Sequence, residues 1–271
     1  MISIVTPVFN GAAHIPRTLE SLAGQSAQLE HLVMDAGSTD NTVALVGSFA
    51  SRYDLRVVSE PDEGLYDAVQ KGFGRTKGDI LAWLNAGDAY LPWTLHAVER
   101  VFAAYPNVEW ITGVPCLLLE AEGLFCGAQF TPIYRSGLIR RGWHNGKRLA
   151  VLQQESMFWR RSLWERSGGA EVLRGNGRGK GLASDYHLWK RFAAHAELHT
   201  VCSPLAAFTV TPGQISQRQR SAYFADMGVK GPPYVPSRWL MLLFRLHSSL
   251  RLGRCIHLDA LPRRAPNQPE I

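Results

Sequence analysis

Cysteine pairing is the first thing this 271-residue chain lacks. Cys116, Cys126, Cys202 and Cys255 are scattered with no C-x-x-C spacing, which argues against a zinc ribbon or a disulfide framework and for a reducing cytoplasm. Long apolar runs are also missing: no stretch approaches the roughly 20 residues that cross a bilayer. Met1 runs straight into Ile2-Ser3-Ile4-Val5 without a basic flank, so no signal peptide is expected. A GxGxxG fingerprint is absent, which disfavours a dinucleotide cofactor. Arg174–Gly181 (RGNGRGKG) fails the phosphate-loop template, because Arg174 stands where the first glycine belongs and Gly181 follows Lys180. It reads as a flap. His195 and His199 are four apart, but Glu197 does not directly follow the first histidine, as a zinc-protease helix requires.

Charge of either sign is modest, at 19% of residues against 46% hydrophobic, a globular composition. It is unevenly spread. Residues 1–216 carry 20 Lys/Arg and 20 Asp/Glu, whereas residues 217–271 carry 9 and 3 and so supply the whole net charge of +6. A neutral body argues against nucleic-acid binding. The basic surplus gives the tail a task of its own.

Along the chain, apolar strands alternate with helical spacing. Strands are expected at Ile2–Thr6, His31–Asp35, Leu55–Ser59 and Ile80–Asn85, with helices at His14–Ala23, Asn41–Ser51 and Leu65–Phe73. This rhythm predicts an α/β fold with a mostly parallel sheet flanked by helices. Ligands bind beyond the carboxyl ends of such strands. Thr6-Pro7, Asp35-Ala36-Gly37-Ser38 and Asn85-Ala86-Gly87-Asp88 are all expected there, converging on one crevice. After about Pro106 the pattern becomes α+β, with strands at Val108–Gly113 and Pro115–Leu119, a hairpin through Gly123–Phe130 and a strand at Gln153–Trp159. A helix over Ser184–Ala196 turns Leu188, Phe192 and Ala196 inward, with Ser184 as its expected N-cap.

Two acidic turns carry the chemistry. Asp185 heads the helix at Ser184 and is placed to take a proton; Asp88 is a hard oxygen ligand for Mg²⁺ or Mn²⁺ that would neutralise a leaving diphosphate. Asp35, closing an apolar strand, has the acceptor-only carboxylate that a base N–H wants. Asp40 reads as a helix cap. Trp159, Trp164, Tyr186 and Trp189 are mostly core by spacing, although Trp159 and Tyr186 flank the polar motifs and are candidates to stack on a sugar.

Six segments, in order, resemble family 2 glycosyltransferases of the GT-A fold. They are SIVTPVFN (Ser3–Asn10), DAGSTDNT (Asp35–Thr42), EPDEGLYDAVQKG (Glu60–Gly72), LNAGD (Leu84–Asp88), QQESMFWRRSLWERSGG (Gln153–Gly169) and SDYHLWKRF (Ser184–Phe192). The resemblance implies an inverting transfer from a nucleotide-sugar, a UDP-sugar above all, assisted by a divalent metal. It implies a donor half over 1–106 and an acceptor half over 107–216. Thr6, Pro7, Asn10, Asp35, Asp62 and Asn85 would lie on the donor side, Asp88 at the metal, Asp185 as catalytic base, and Glu155, Trp159 and Tyr186 on the acceptor side. Three positions depart from the family. The acidic turn keeps only Asp88, Gln70 stands where asparagine is usual, and FTVTPGQIS (Phe208–Ser216) has Thr209 and Thr211 in place of an arginine and a histidine.

In the tail, Ser237–Arg251 aligns Trp239, Leu242, Leu243, Leu246 and Leu250 on one stripe. A lipid-linked acceptor and peripheral contact with an anionic membrane would explain this stripe and the surplus charge; a core or dimer helix is the other reading. Two further functions stay open. A nucleotidyltransferase would want a basic glycine-rich loop after the first strand, yet Pro7–Ala13 has no lysine or arginine. A non-catalytic or metal-independent nucleotide-sugar-binding protein is permitted by the depleted acidic turn.

Overall fold

The computed structural model describes residues 1–129, 134–175, 181–211, 214, 218–229, 239, 242 and 254–261. The first strand, β1 (Ile2–Val8), is fully buried and sits between β2 (Leu29–Asp35) and β4 (Ile80–Trp83), parallel to both. Outside β2 lies β3 (Leu55–Ser59), again parallel. Crossovers run through α1 (Ile15–Ala23), α2 (Thr42–Ser48) and α3 (Leu65–Phe73). These are the repeated strand-helix units expected from the alternating pattern. β1 runs two residues further than its apolar run suggested, because Pro7 and Val8 stay in register with Met34 and Asp35.

Polar residues inside these buried strands are paired, as burial demands. His31 sits between Thr6 Oγ1 at 2.9 Å and Tyr53 Oη at 3.0 Å, and burial pushes its imidazole down to about 3. Glu30 accepts from the Ser3 hydroxyl at 2.7 Å and from the Lys77 N–H at 2.8 Å.

After the two-residue strand β5 (Ala89–Tyr90) and α4 (Thr94–Ala104), the second half joins the same sheet. β6 (Trp110–Gly113) follows; β7 (Cys116–Glu120) and β8 (Phe125–Gln129) form the expected hairpin, and a short helix, α5, covers Ser136–Arg140. Gln154–Ser156 is a single 3₁₀ turn, so the strand expected from Gln153 starts later, as β9 (Met157–Arg160). The short helices α6 (Arg161–Arg166) and α7 (Gly169–Leu173) lead to α8 (Ser184–His195), β10 (Leu198–Val201) and β11 (Ala206–Val210). The main sheet has the order β12-β10-β6-β9-β4-β1-β2-β3, where β12 is Cys255–Ile256, with β9 antiparallel to both neighbours; β5, β11, β7 and β8 form a second sheet.

Where β9 crosses the main sheet, an aromatic core has formed. Trp83 and Trp189 stack at 5.7 Å, Trp110 and Trp189 at 6.0 Å, and Trp159 meets Trp83 edge-on at 5.8 Å. The inner face of α8 is Leu188, Trp189, Phe192 and Ala193. This corrects the expected face by one step: Ala196 caps the helix end and only edges the core.

The residues described after 216 are not a free appendage. Helix α9 (Arg220–Asp226) packs near the start of α8, and β12 (Cys255–Ile256) adds a parallel edge strand to β10 with Ile256 and Leu261 buried. Of the striped segment Ser237–Arg251, only Trp239 and Leu242 are described, both exposed, at 76% and 46%; the remainder lies outside the described residues. Among the described residues, no helix is long and apolar enough to cross a membrane.

Candidate active site

The turns at the carboxyl edges of β1 and β2 are laced together by side chain to backbone bonds. Asn10, left-handed at φ 48°, accepts the Thr39 N–H at 2.9 Å and donates its own N–H to Ser38 Oγ at 2.8 Å. The Ala12 N–H reaches Asp40 at 3.0 Å and the Gly11 N–H reaches Thr42 Oγ1 at 2.9 Å. Glycine is needed at 11, since a Cβ there would stand 2.4 Å from a Val8 methyl. Asp40 also accepts the Thr42 N–H at 3.0 Å, but it stands one residue before the cap position, which Asn41 occupies.

Asp35 is enclosed by its own turn. It accepts N–H groups from Gly37 at 3.2 Å and Ser38 at 3.1 Å, and the Ser59 hydroxyl at 2.6 Å. All three reach Oδ2, while Oδ1 takes a longer share of the Ser38 N–H at 3.3 Å, in a residue 1% exposed. Thr6, expected on the donor side, is corrected: it lies inside β1, fully buried, with its hydroxyl turned to His31. Pro7 is buried in the same strand. At the end of the strand, Phe9 stands 62% exposed beside Asn10, an aromatic face the motif reading passed over. On the next loop, Asp62 is half-buried and accepts the Gly64 N–H at 2.8 Å.

The turn after β4 is clamped from two sides. From α1, the Thr18 hydroxyl donates to the Asp88 carbonyl at 2.8 Å while accepting the Gly87 N–H at 2.9 Å. From β11, the Thr209 N–H donates to Asp88 Oδ1 at 2.9 Å, and Arg17 donates to the Thr209 hydroxyl at 2.9 Å. Thr209, the residue standing in for the family's arginine, thus touches Asp88 through its backbone, and Arg17 brings the cation from elsewhere. Asn85 donates to Gln154 Oε1 at 3.0 Å, and Gln154 donates onward to the Trp83 carbonyl at 2.6 Å. That relay fixes the Asn85 amide and leaves its Oδ1 buried with no partner.

Gln154 brings Glu155 with it. Glu155 is buried and accepts the Cys116 thiol at 2.8 Å. Burial pushes the Glu155 carboxyl up, the more so with Asp185 near. Asp88, 4% exposed, is raised well above the usual carboxylate range by burial and by the charge of Glu155. Asp185 is raised too, mainly by burial, against the pull of its hydrogen-bond donors. The chain thus gathers three carboxyl groups from remote segments into one desolvated region.

Asp185 is the best-held of the three. Tyr66 Oη lies 3.0 Å from its Oδ1, the Tyr186 N–H donates to Oδ1 at 2.8 Å, and Tyr223 Oη lies 3.2 and 3.1 Å from the two oxygens. Burial and the Asp185 charge hold both phenols well above their ordinary range, so they remain protonated donors. Ser184 does not cap α8 as expected. It is the first helical residue and its hydroxyl bonds the Gly181 carbonyl at 3.1 Å, while Asp226 from α9 accepts the Ala183 N–H at 2.8 Å.

Two expected acceptor-side aromatics are corrected. Trp159 is fully buried, since β9 runs between β4 and β6 and its ring is enclosed by Phe73, Trp83, Trp189 and Phe192. Tyr186 is 7% exposed, its hydroxyl donates to the Gly142 carbonyl at 3.2 Å, and Lys190 covers its ring. Neither offers a face to a sugar. Tyr66, Tyr223 and Gln154 are the site residues that motif reading passed over. Tyr66 and Gln154 both lay inside quoted motifs, EPDEGLYDAVQKG and QQESMFWRRSLWERSGG, whereas Tyr223 lies in none; Thr209 was noted only as a departure from the family.

The Glycosyl transferase family 2 profile matches residues 3–110. An uncharacterized glycosyltransferase of Mycobacterium tuberculosis is 30% identical over 233 residues, covering 83% of this chain and 81% of its own. This chain belongs to glycosyltransferase family 2. The fold matches Staphylococcus aureus TarS, solved with UDP-GlcNAc, at a TM-score of 0.57 and 16% identity, over 92% of this chain and 65% of that one. It also matches the mannosyltransferase PcManGT of Pyrobaculum calidifontis, solved with GDP-Man and Mn²⁺, at 0.58 and 19% identity, over 93% and 70%.

Among the described residues, no three His, Cys, Asp or Glu groups form a protein-only metal cage. A small divalent ion rarely needs one in a phosphate site, because one or two carboxylates are commonly completed by phosphate oxygens and water. Asp88, with the partnerless Asn85 Oδ1 on the same turn, fits an ion of that kind.

Proposed function

We propose that this glycosyltransferase inverts the anomeric centre, moving a sugar from a nucleotide-sugar, a UDP-sugar first, to a hydroxyl of a saccharide or lipid-linked acceptor in polysaccharide or glycolipid assembly. One observation carries this reading. Asp185 stands as a desolvated carboxyl group with fixed donors at one oxygen, in the same region as Asp88 and the laced donor turns. An inverting transfer wants such a group opposite the departing diphosphate.

Asp185 takes the proton of the acceptor hydroxyl as that oxygen bonds to the anomeric carbon from one face. The bond from that carbon to the diphosphate oxygen breaks on the other, and the electron pair leaves with the nucleoside diphosphate. No covalent enzyme intermediate is required. A raised pKa makes Asp185 a stronger base than an exposed aspartate once it is ionised. Asp88, beside Asn85, would hold a divalent ion, which supplies charge neutralisation to the diphosphate.

On the donor side, Phe9 stacks on the nucleobase while Asn10, Asp62 and Asn85 line the path of ribose and phosphates. Membrane contact through the chain after 229 accompanies a lipid-linked acceptor, and the exposed Trp239 supports that reading. TarS with UDP-GlcNAc and PcManGT with GDP-Man and Mn²⁺ support a nucleotide-sugar donor.

Calorimetry with UDP and GDP, with Mn²⁺ and with EDTA, tests the donor side. One nucleotide binds more tightly with Mn²⁺, Asp88→Ala removes that gain, and Phe9→Ala weakens binding roughly fivefold or more through lost stacking. Binding that ignores both metal and Asp88 would favour a metal-independent protein on the same fold.

A further inference from the structure

Beyond the motifs, the chain past residue 216 reaches into the site. Helix α9 is docked by Phe224 and Met227 in a small apolar cluster with Ala183, Tyr186 and Val151. Asp226 ties it to the first turn of α8 through the Ala183 N–H. The docking is close: a Cβ on Gly146 would stand 2.4 Å from the Phe224 ring, and one on Gly181 2.9 Å from Asp226 Oδ2. From this seat Tyr223 reaches both oxygens of Asp185.

Proton counting separates the two oxygens. Oδ1 lies 2.8 Å from the Tyr186 N–H and 3.0 Å from Tyr66 Oη. Two acceptor sites of a carboxylate oxygen are then filled. Tyr66 carries a single proton and also lies 3.0 Å from the Leu182 carbonyl, so its donation is shared. Tyr223 likewise has one proton, and Oδ2, at 3.1 Å, is the less occupied oxygen for it. Among the described residues, Tyr223 alone donates to Oδ2, so one acceptor site on that oxygen remains for an incoming hydroxyl.

We propose that Tyr223 and Tyr66 are positioning residues for Asp185: they hold the carboxylate from opposite elements and present Oδ2 to the acceptor. Helix α9 is therefore part of the transfer apparatus and not a tail. This inference rests on the reading of Asp185 as the base. The charged and titratable groups around Asp185 are Tyr66 on α3, Glu155 on the 3₁₀ turn, and Tyr223 and Asp226 on α9. Both phenols stabilise the ionised carboxylate, and Glu155 opposes it.

The test uses the full chain labelled with carboxyl-¹³C aspartate, the Asp185 signal being identified by its loss in Asp185→Asn. Removing a donor to a charged group in Tyr223→Phe or Tyr66→Phe raises the Asp185 midpoint by about one pH unit. The same variants lower turnover roughly tenfold with UDP-glucose, UDP-GlcNAc or GDP-mannose, whichever the wild type uses fastest, without changing donor KM. Phenylalanine keeps both rings, and the two variants lie on separate elements, so either one that folds decides the matter. A midpoint that stays in place in a folded variant overturns the proposal, as does a shifted midpoint with wild-type turnover. If Asp185→Asn itself turns over normally, the base reading has failed; if it is dead while both tyrosine variants match wild type, only this inference has.

Discussion

Asp35, fully buried, and Asp185, half-buried, are two aspartates of one fold, and they are held in opposite ways. Asp35 receives two N–H groups from its own turn and a hydroxyl from the neighbouring strand, all from within one βαβ unit. Asp185 receives one N–H from its own helix and two phenols from segments 119 and 38 residues away in the chain. The local set crowds Oδ2 of a fully buried residue, leaves Oδ1 only a longer share of the Ser38 N–H at 3.3 Å, and makes Asp35 a strut for the crevice. The remote set loads Oδ1 and leaves Oδ2 of a half-buried residue with a free acceptor site. A carboxylate's role thus follows from its exposure together with where its donors come from.

The contrast is broken most sharply by exchanging each carboxylate. Asp185→Asn removes the atom that takes the proton while leaving the neighbouring contacts nearly unchanged. Turnover should fall by roughly 10²–10⁴-fold with nucleotide affinity within about twofold. Wild-type turnover in the folded variant would remove Asp185 from the mechanism.

Asp35→Ala should act on the fold instead. It strands the Gly37 and Ser38 N–H groups and costs about 1–3 kcal/mol in a denaturant titration. An unchanged midpoint with unchanged slope would mean that water replaces the carboxylate freely.

The smallest expected effect is a tilt with pH. Asp88, Glu155 and Asp185 each hold a proton more tightly folded than unfolded. Between the usual carboxylate range and their raised values, these three groups bind more protons in the native state than in the unfolded one. Their contribution to stability therefore falls as pH rises through that window, against the rising contribution of the buried neutral His31 and His144. Turnover rises over the same window, because Asp185 must ionise to accept a proton. Melting temperature and activity recorded from pH 4 to 8 for the wild type and for Asp185→Asn isolate the Asp185 contribution as their difference. The melting temperature of the wild type relative to Asp185→Asn should fall as pH rises while wild-type turnover climbs, and a difference that grows with pH would contradict the raised Asp185 carboxyl.

Much of this architecture was legible in the chain. The alternation through Phe73 placed three strand-helix units, since apolar runs closed by Asn10-Gly11 and Gly37-Ser38 leave few other folds. Asp88 and Asp185 drew attention through the order of the six motifs, since an aspartate at a turn or a helix start is common by itself. Trp159 was misread because its strand pattern does not reveal that β9 is flanked on both sides, by β4 and β6. Thr6 was misread for a similar reason: two more residues of β1 stay paired with β2, so its hydroxyl faces His31 inside the sheet.

Sequence alone settled the elements, the carboxyl edge where their turns gather and the chemistry on offer there, because local propensity and apolar period act over a few residues. Tertiary structure decided which polar atoms remain available. It closed Asp35, buried Trp159 and Tyr186, set Glu155 against Asp88 and brought Tyr223 back to Asp185. Those outcomes depend on desolvation and on donors arriving from distant segments, and neither is written in the spacing of residues along the chain.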